Sequence, residues 1–122
     1  MEIKYRREEL GEALQIFSSV INKCEKIQPK FAEGTSQNTL LKNRIKAMYI
    51  SKALITEDAE IERYSKEELT NALKPVASVI SKCETGQRKH EVEVPQYKRF
   101  QKIIDAMKIS KSLIADEISK RG

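Results

Sequence analysis

Between Leu10 and Ile27 the apolar residues Leu10, Ala13, Leu14, Phe17, Val20, Ile21, Cys24 and Ile27 recur at steps of three or four, with two adjacent pairs. They form one continuous stripe with a period near 3.6, which predicts an amphipathic helix over 8–27. Glu8, Glu9 and Glu12 complement the dipole of its first turns, and Pro29 stops it. Residues 28–37 read as a loop punctuated by Pro29 and Gly34. Thr35 or Ser36 then caps a second helix, from about Gln37 to Thr56. Its apolar residues Leu40, Leu41, Ile45, Ala47, Met48, Ile50, Leu54 and Ile55 spread over an arc of roughly 200°, wider than the ~100° of a single core-facing side. Such a helix is expected to touch neighbours on two flanks. Ser51 falls near the middle of the arc, where a small side chain permits close approach.

The chain carries this pattern twice. At an offset of 59 positions, Tyr5 to Leu10 falls on Tyr64 to Leu69, Ser19 to Glu25 on Ser78 to Glu84, and Ala47 to Ile55 on Ala106 to Ile114, without a gap. An internal repeat of this length decides architecture before any local reading does. Residues 57–64 hold four acids that suit a helix C-terminus poorly, so they read as a break. Ser65 and Glu68 form a capping box ahead of a third helix, about 66–85. Pro75 stands there where the first copy has Ile16, which predicts a kink and an unbonded Asn71 carbonyl. Gly86 to Val94 reads as a second loop with a short extended piece at Val92–Val94. Pro95 then opens a fourth helix, about 95–119, and Lys120-Arg121 complements its dipole. Phe100, Ile103, Ile104, Ala106, Met107, Ile109, Leu113 and Ile114 repeat the wide apolar arc, with Ser110 near its middle.

Two hairpins in tandem predict an all-α fold: an up-down-up-down four-helix bundle of two tandem helical-hairpin repeats with pseudo-two-fold symmetry. The single domain is 1–122, with repeat 1 at 5–57, a linker at 58–63 and repeat 2 at 64–119. The expected core is Leu10, Leu14, Phe17, Ile21, Cys24, Leu41, Met48 and Ile55 from the first half. The second half adds Leu69, Leu73, Val76, Ile80, Cys83, Phe100, Met107 and Ile114. The wide arcs leave room for a homodimer.

Charge alters this picture little. Charged residues make up 34% of the chain, against about 25% in an average domain, as large solvated helix faces require. The net charge of +5 leans toward anionic partners but falls short of a dedicated nucleic-acid binder. The segment Met1 to Arg7 lacks the apolar centre of a signal peptide, and no run could span a bilayer. A cytoplasmic location is expected, with Cys24 and Cys83 as reduced thiols.

Candidate chemistry is sparse. Cys24 and Cys83 occupy equivalent stripe positions, where free cysteine acts as a small hydrophobe. Two sulfurs and one His90 do not make a metal site. His90 lies in a polar loop with no nucleophile beside it. The paired carboxylates Glu8-Glu9 and Glu67-Glu68 are explained by helix starts, and none of the 4 glycines stands in a Gly-x-Gly context. No catalytic residue, cofactor or metal is expected. Charge placement is the strongest remaining signal. Lys42, Lys46, Lys52, Lys102, Lys108 and Lys111 fall mostly opposite the apolar arcs, and two such ridges could follow a phosphate backbone. Lysine also simply solvates exposed helix faces, and no aromatic interleaving accompanies it. Arg44, at the position of Ile103, interrupts the arc and is expected to snorkel or to pair with an acid. Phe31 is expected to fold back over the end of the bundle.

The run Leu10-Gly11-Glu12-Ala13-Leu14, Ser19 to Lys26 and Gly34 to Ala47 resembles small uncharacterised bacterial proteins built on the same helical-hairpin unit. The likeness covers nearly the whole chain and implies a fold and an intracellular location. The second copy departs from it at Gly86 to Gln96, where Gly34-Thr35-Ser36-Gln37 has no counterpart. The sequence therefore leads to a non-enzymatic intracellular helical interaction module, presenting a rigid face to itself or to an unidentified protein partner. Nucleic-acid binding along the two lysine ridges is the less favoured alternative.

Overall fold

The computed structural model describes residues 5–122; residues 1–4, part of the N-terminal segment read above, lie outside it. Four helices account for most of the chain: α1 Arg7–Ile27, α2 Ser36–Ile55, α3 Lys66–Gln87 and α4 Pro95–Lys120. Single 3-10 turns at Gln28–Lys30 and Ala59–Arg63 follow α1 and α2. No strand occurs among the described residues.

The helix starts obey local chemistry. Ser65 Oγ accepts the Glu68 amide at 3.0 Å while the Glu68 carboxylate accepts the Ser65 amide at 3.0 Å, closing both halves of a capping box. Thr35 Oγ1 accepts the Asn38 amide at 3.3 Å ahead of α2. Pro95, which has no amide hydrogen to leave unbonded, is the first residue of α4.

Three details differ from the sequence reading. Gly86 does not open a loop: α3 continues through it to Gln87, and the absence of a side chain there lets the Phe100 ring lie on the helix backbone. A Cβ at that position would come within 2.7 Å of Phe100 Cζ. Val92–Val94 is a turn and not an extended piece, closed by the Val94 amide on the Glu91 carbonyl at 3.1 Å. The break after α2 is tighter than a simple linker. Glu57 adopts a left-handed φ of 53°, the Asp58 amide returns to the Ala53 carbonyl at 2.9 Å, and the 3-10 turn follows at once. Pro75 lies inside α3, as its interior position in the third helix predicts. Asn71 and Pro75 both border an open groove between α2 and α3, so water reaches the interrupted turn.

The helices share one core. α1 packs on α2 and α3 packs most extensively on α4, while α2 and α4 also touch each other and each reaches both remaining helices. α1 and α3 do not meet. Most of the wide apolar arcs of α2 and α4 is thus covered within the chain, with Leu40, 49% exposed, the chief exception. Phe17, Met48, Ile50, Leu69, Val76, Ile104, Met107 and Ile114 are fully buried, each worth about 1.5–3 kcal/mol of transfer free energy. Ala47, Ala106, Ser51 and Ser110 are buried beside them, small enough to let α2 and α4 approach. Ile21 and Cys83 are also buried in this cluster, and Leu10, Ile55, Leu73, Ile80 and Phe100 pack against it partly exposed. Leu14 is a correction. It lies about 60° around α1 from Phe17, on the wall of a shallow surface groove with Gln15, Ser18 and Lys26, and takes no part in the core. Ala13, Phe17, Ile21 and Cys24 form the buried face of α1 instead.

Candidate functional site

One concave region combines exposed apolar side chains with unpaired positive charge. The last turns of α1 put Val20, Cys24 and Ile27 on one side at helical spacing, and the Pro29 turn brings Phe31 beside them. α2 begins opposite and contributes Leu40, Leu41 and Arg44, and α3 closes the region with Val79, Lys82 and Cys83. The groove measures about 430 Å³, within the range of ligand-binding clefts. Five large apolar side chains of the described chain are well exposed. Three of them, Ile27 at 41%, Phe31 at 36% and Leu40 at 49%, line this groove. Phe31 therefore does not fold back as a cover but remains at the rim.

The turn that shapes the groove is built by polar groups. Gly34 takes a φ of 88°, and Thr35 Oγ1 donates to the Ala32 carbonyl at 2.7 Å. The buried Asn38 side-chain Nδ2 donates to the Phe31 carbonyl at 3.0 Å and the Gln28 carbonyl at 3.4 Å. The segment Gly34–Asn38 thus holds α1 and α2 in register. In the second half Gln87, buried at the end of α3, does a similar job: its amide donates to the Tyr97 carbonyl at 3.2 Å and to Gln101 at 2.8 Å. Neither lock is visible as a stripe or a motif.

Arg44 is the chemically distinctive residue. It borders both this groove and the larger one of about 730 Å³ between α2 and α3. Its Nε is buried with no hydrogen-bond acceptor, and it makes no ion pair among the described residues. Of the two outcomes expected from sequence, snorkelling or pairing with an acid, the ion pair is absent among the described residues, and Glu68, on the larger groove, is held by Lys46 Nζ at 2.5 Å. Arg44 lies instead beside the two thiols. Burial raises the pKa of Cys24 and of Cys83, and the Arg44 charge offsets part of that rise at both. Both cysteines are free and buried, so they are poor nucleophiles near neutral pH.

Among the described residues no Asp or Glu lines the groove, whereas Lys23, Lys82 and Arg44 do. The surrounding segments have the same bias. Residues 20–44 and 79–103 together hold eleven Lys and Arg against five Asp and Glu, a local +6 where the whole chain carries +5.

The six lysines singled out from sequence are not gathered into one surface. Lys46 is paired with Glu68, Lys52 sits 5.8 Å from the Tyr49 ring centre, and Lys102 shares a groove with Glu9, Glu12 and Asp105. Lys42, Lys108 and Lys111 are exposed. His90 is exposed and stacks on Phe100, with ring centres 6.2 Å apart. No group of three or more metal-ligating side chains occurs among the described residues, and none of their helices is long and apolar enough to cross a membrane. Arg121 does more than complement a dipole. Its guanidinium donates to the Tyr64 carbonyl and, at 2.6 Å, to the Ile61 carbonyl, while Nε meets Glu117 at 3.1 Å. It fastens the acidic linker to the end of α4.

No protein-family profile, curated protein or solved structure matches the chain.

Proposed function

We propose that this protein is a non-enzymatic intracellular binding module, an up-down-up-down bundle of two fused hairpins that captures a partner in the groove around Arg44. One observation carries the reading: three large apolar side chains stay exposed around a single cleft that, among the described residues, has three cations and no acid. Clustered exposed apolar surface is the usual signature of an interaction site. The architecture supplies rigidity, since the cleft walls come from α1, α2 and α3, and an apolar cluster extends behind them.

Two other readings have less support. Self-association through the arcs of α2 and α4 would need surface that, Leu40 apart, these helices largely bury against each other and against α1 and α3. Nucleic-acid binding through Lys42, Lys46, Lys52, Lys102, Lys108 and Lys111 would need a continuous basic face. Lys46 is instead paired with Glu68, and Lys102 lines a groove with Glu9, Glu12 and Asp105.

Titration with anilinonaphthalene sulfonate, an apolar anionic dye, tests the reading. The native chain should bind it with enhanced fluorescence. Leu40→Asp should abolish the enhancement, whereas Val92→Asp, at another exposed apolar position, should leave it intact. Binding that survives Leu40→Asp, or no binding by the native chain, contradicts the assignment.

A further inference from the structure

We infer that the occupant of this groove is an acidic amphipathic helix of a partner protein, seated with its apolar face on Ile27, Phe31 and Leu40 and with a carboxylate on Arg44. The inference rests on the groove being the binding surface proposed above and names what fills it.

Shape supports a helix. The apolar wall runs along α1 from Val20 through Cys24 to Ile27, a rise of about 10 Å or two helical turns. Ile27, Phe31 and Leu40 are between one third and one half exposed, so they form an open trough and not a closed cavity. An amphipathic helix lays residues i, i+3, i+4 and i+7 into such a trough.

Charge sets the sign of the partner. Lys23 and Lys82 flank the trough from α1 and α3, and Arg44 stands where α2 crosses it. None of the acidic residues among the described residues lines the trough. The Arg44 guanidinium has already lost solvent at Nε and has no carboxylate partner among the described residues. An incoming carboxylate therefore meets a cation whose desolvation is partly complete, and the planar guanidinium can hold it with two parallel hydrogen bonds. Lysines at the rim would speed encounter and make it salt-dependent.

The experiment uses the full chain and a fluorescein-labelled helical peptide with Leu at i, i+3, i+4 and i+7 and Glu at the flanking positions. A second peptide carries Gln in place of each Glu. Anisotropy should show saturable binding of the Glu peptide, weakening as salt rises and displacing the dye. The Gln peptide should bind about tenfold more weakly or worse. Arg44→Gln should bring the two peptides to nearly equal affinity. If that variant does not keep the native melting curve, Lys82→Gln, at an exposed position, should narrow the difference between the peptides. Equal binding of both peptides by the native chain overturns the inference. So does failure of the Glu peptide to displace bound dye, and so does displacement by sodium decanoate alone, which would assign the trough to a small amphiphile. In these last two cases the groove remains a binding surface and only its occupant changes; loss of dye binding itself would remove the earlier reading.

Discussion

The hydroxyl oxygens of Ser51 and Ser110 lie 2.5 Å apart in the interior, with both residues fully buried. They stand 59 positions apart, the offset at which the sequence aligns with itself. Ser51 Oγ is also 2.8 Å from the Ala47 carbonyl, which can only accept. A hydroxyl has one proton to give, so Ser51 donates to Ala47 and Ser110 donates to Ser51. The polar pair is satisfied where α2 and α4 come close, and the contact has a direction.

That direction makes the two alanine substitutions unequal. Ser110→Ala leaves Ser51 with its carbonyl and should cost about 1 kcal/mol. Ser51→Ala strands the Ser110 hydroxyl in the core and should cost about 1–3 kcal/mol. Urea melts of both variants measure the difference. Equal losses would mean that Ser110 turns to a carbonyl of its own helix.

The core boundary on α1 gives a second contrast. Met107 is fully buried, and Met107→Ala should destabilise by roughly 2–5 kcal/mol. Leu14 borders a surface groove, and Leu14→Ala should cost well under that, about 1 kcal/mol or less. Thermal melting decides. Comparable losses would return Leu14 to the core.

Much of this organisation is legible in the sequence. The stripe from Leu10 to Ile27, the Ser65–Glu68 box and the prolines at 29 and 95 place helix ends to within a residue or two, because they act through local backbone chemistry. The breadth of the apolar arcs indicates that α2 and α4 have more than one neighbour. What stays hidden depends on residues far apart in the chain. Lys46 meets Glu68 across 22 positions and Arg44 lies beside Cys24 and Cys83, and nothing near either cation in sequence signals that. Gly86 looks like a loop opener until Phe100 is placed on its backbone. Leu40 and Leu41 read alike as apolar positions, yet one is 49% exposed and the other buried. The groove is made of such differences, so periodicity alone does not reveal it.

Glu57 holds a left-handed conformation that glycine adopts without steric cost. Glu57→Gly should stabilise the chain by roughly 1 kcal/mol, even though glycine frees the unfolded state. Glu57→Val should destabilise it, since a β-branched residue fits that conformation poorly. Paired denaturant melts check both signs. A stabilising valine would place the backbone in another region.

The Lys46–Glu68 pair should give acid sensitivity. The hydrogen bond from Lys46, followed by the Ser65 amide, holds the Glu68 carboxyl below the usual glutamate range. A pKa lowered on folding adds stability that is complete above the unfolded value, about 4.3. That stability is lost as pH falls through the lower folded value. Glu68→Gln keeps a capping side chain at this position and removes the charge. Its melting temperature should lie below that of the native chain at neutral pH, and the two should converge in acid. A constant gap across the range would show that the pair contributes nothing titratable.

The central claim is that a partner is held in a cleft walled by both halves of the chain. Amide chemical shifts recorded during titration of the labelled full-length protein with anilinonaphthalene sulfonate test it most directly. The account predicts perturbations at Cys24, Ile27, Leu40 and Arg44 together with Val79 and Lys82 from the other half. Perturbations confined to one half, or centred on Lys108 and Lys111, would contradict it.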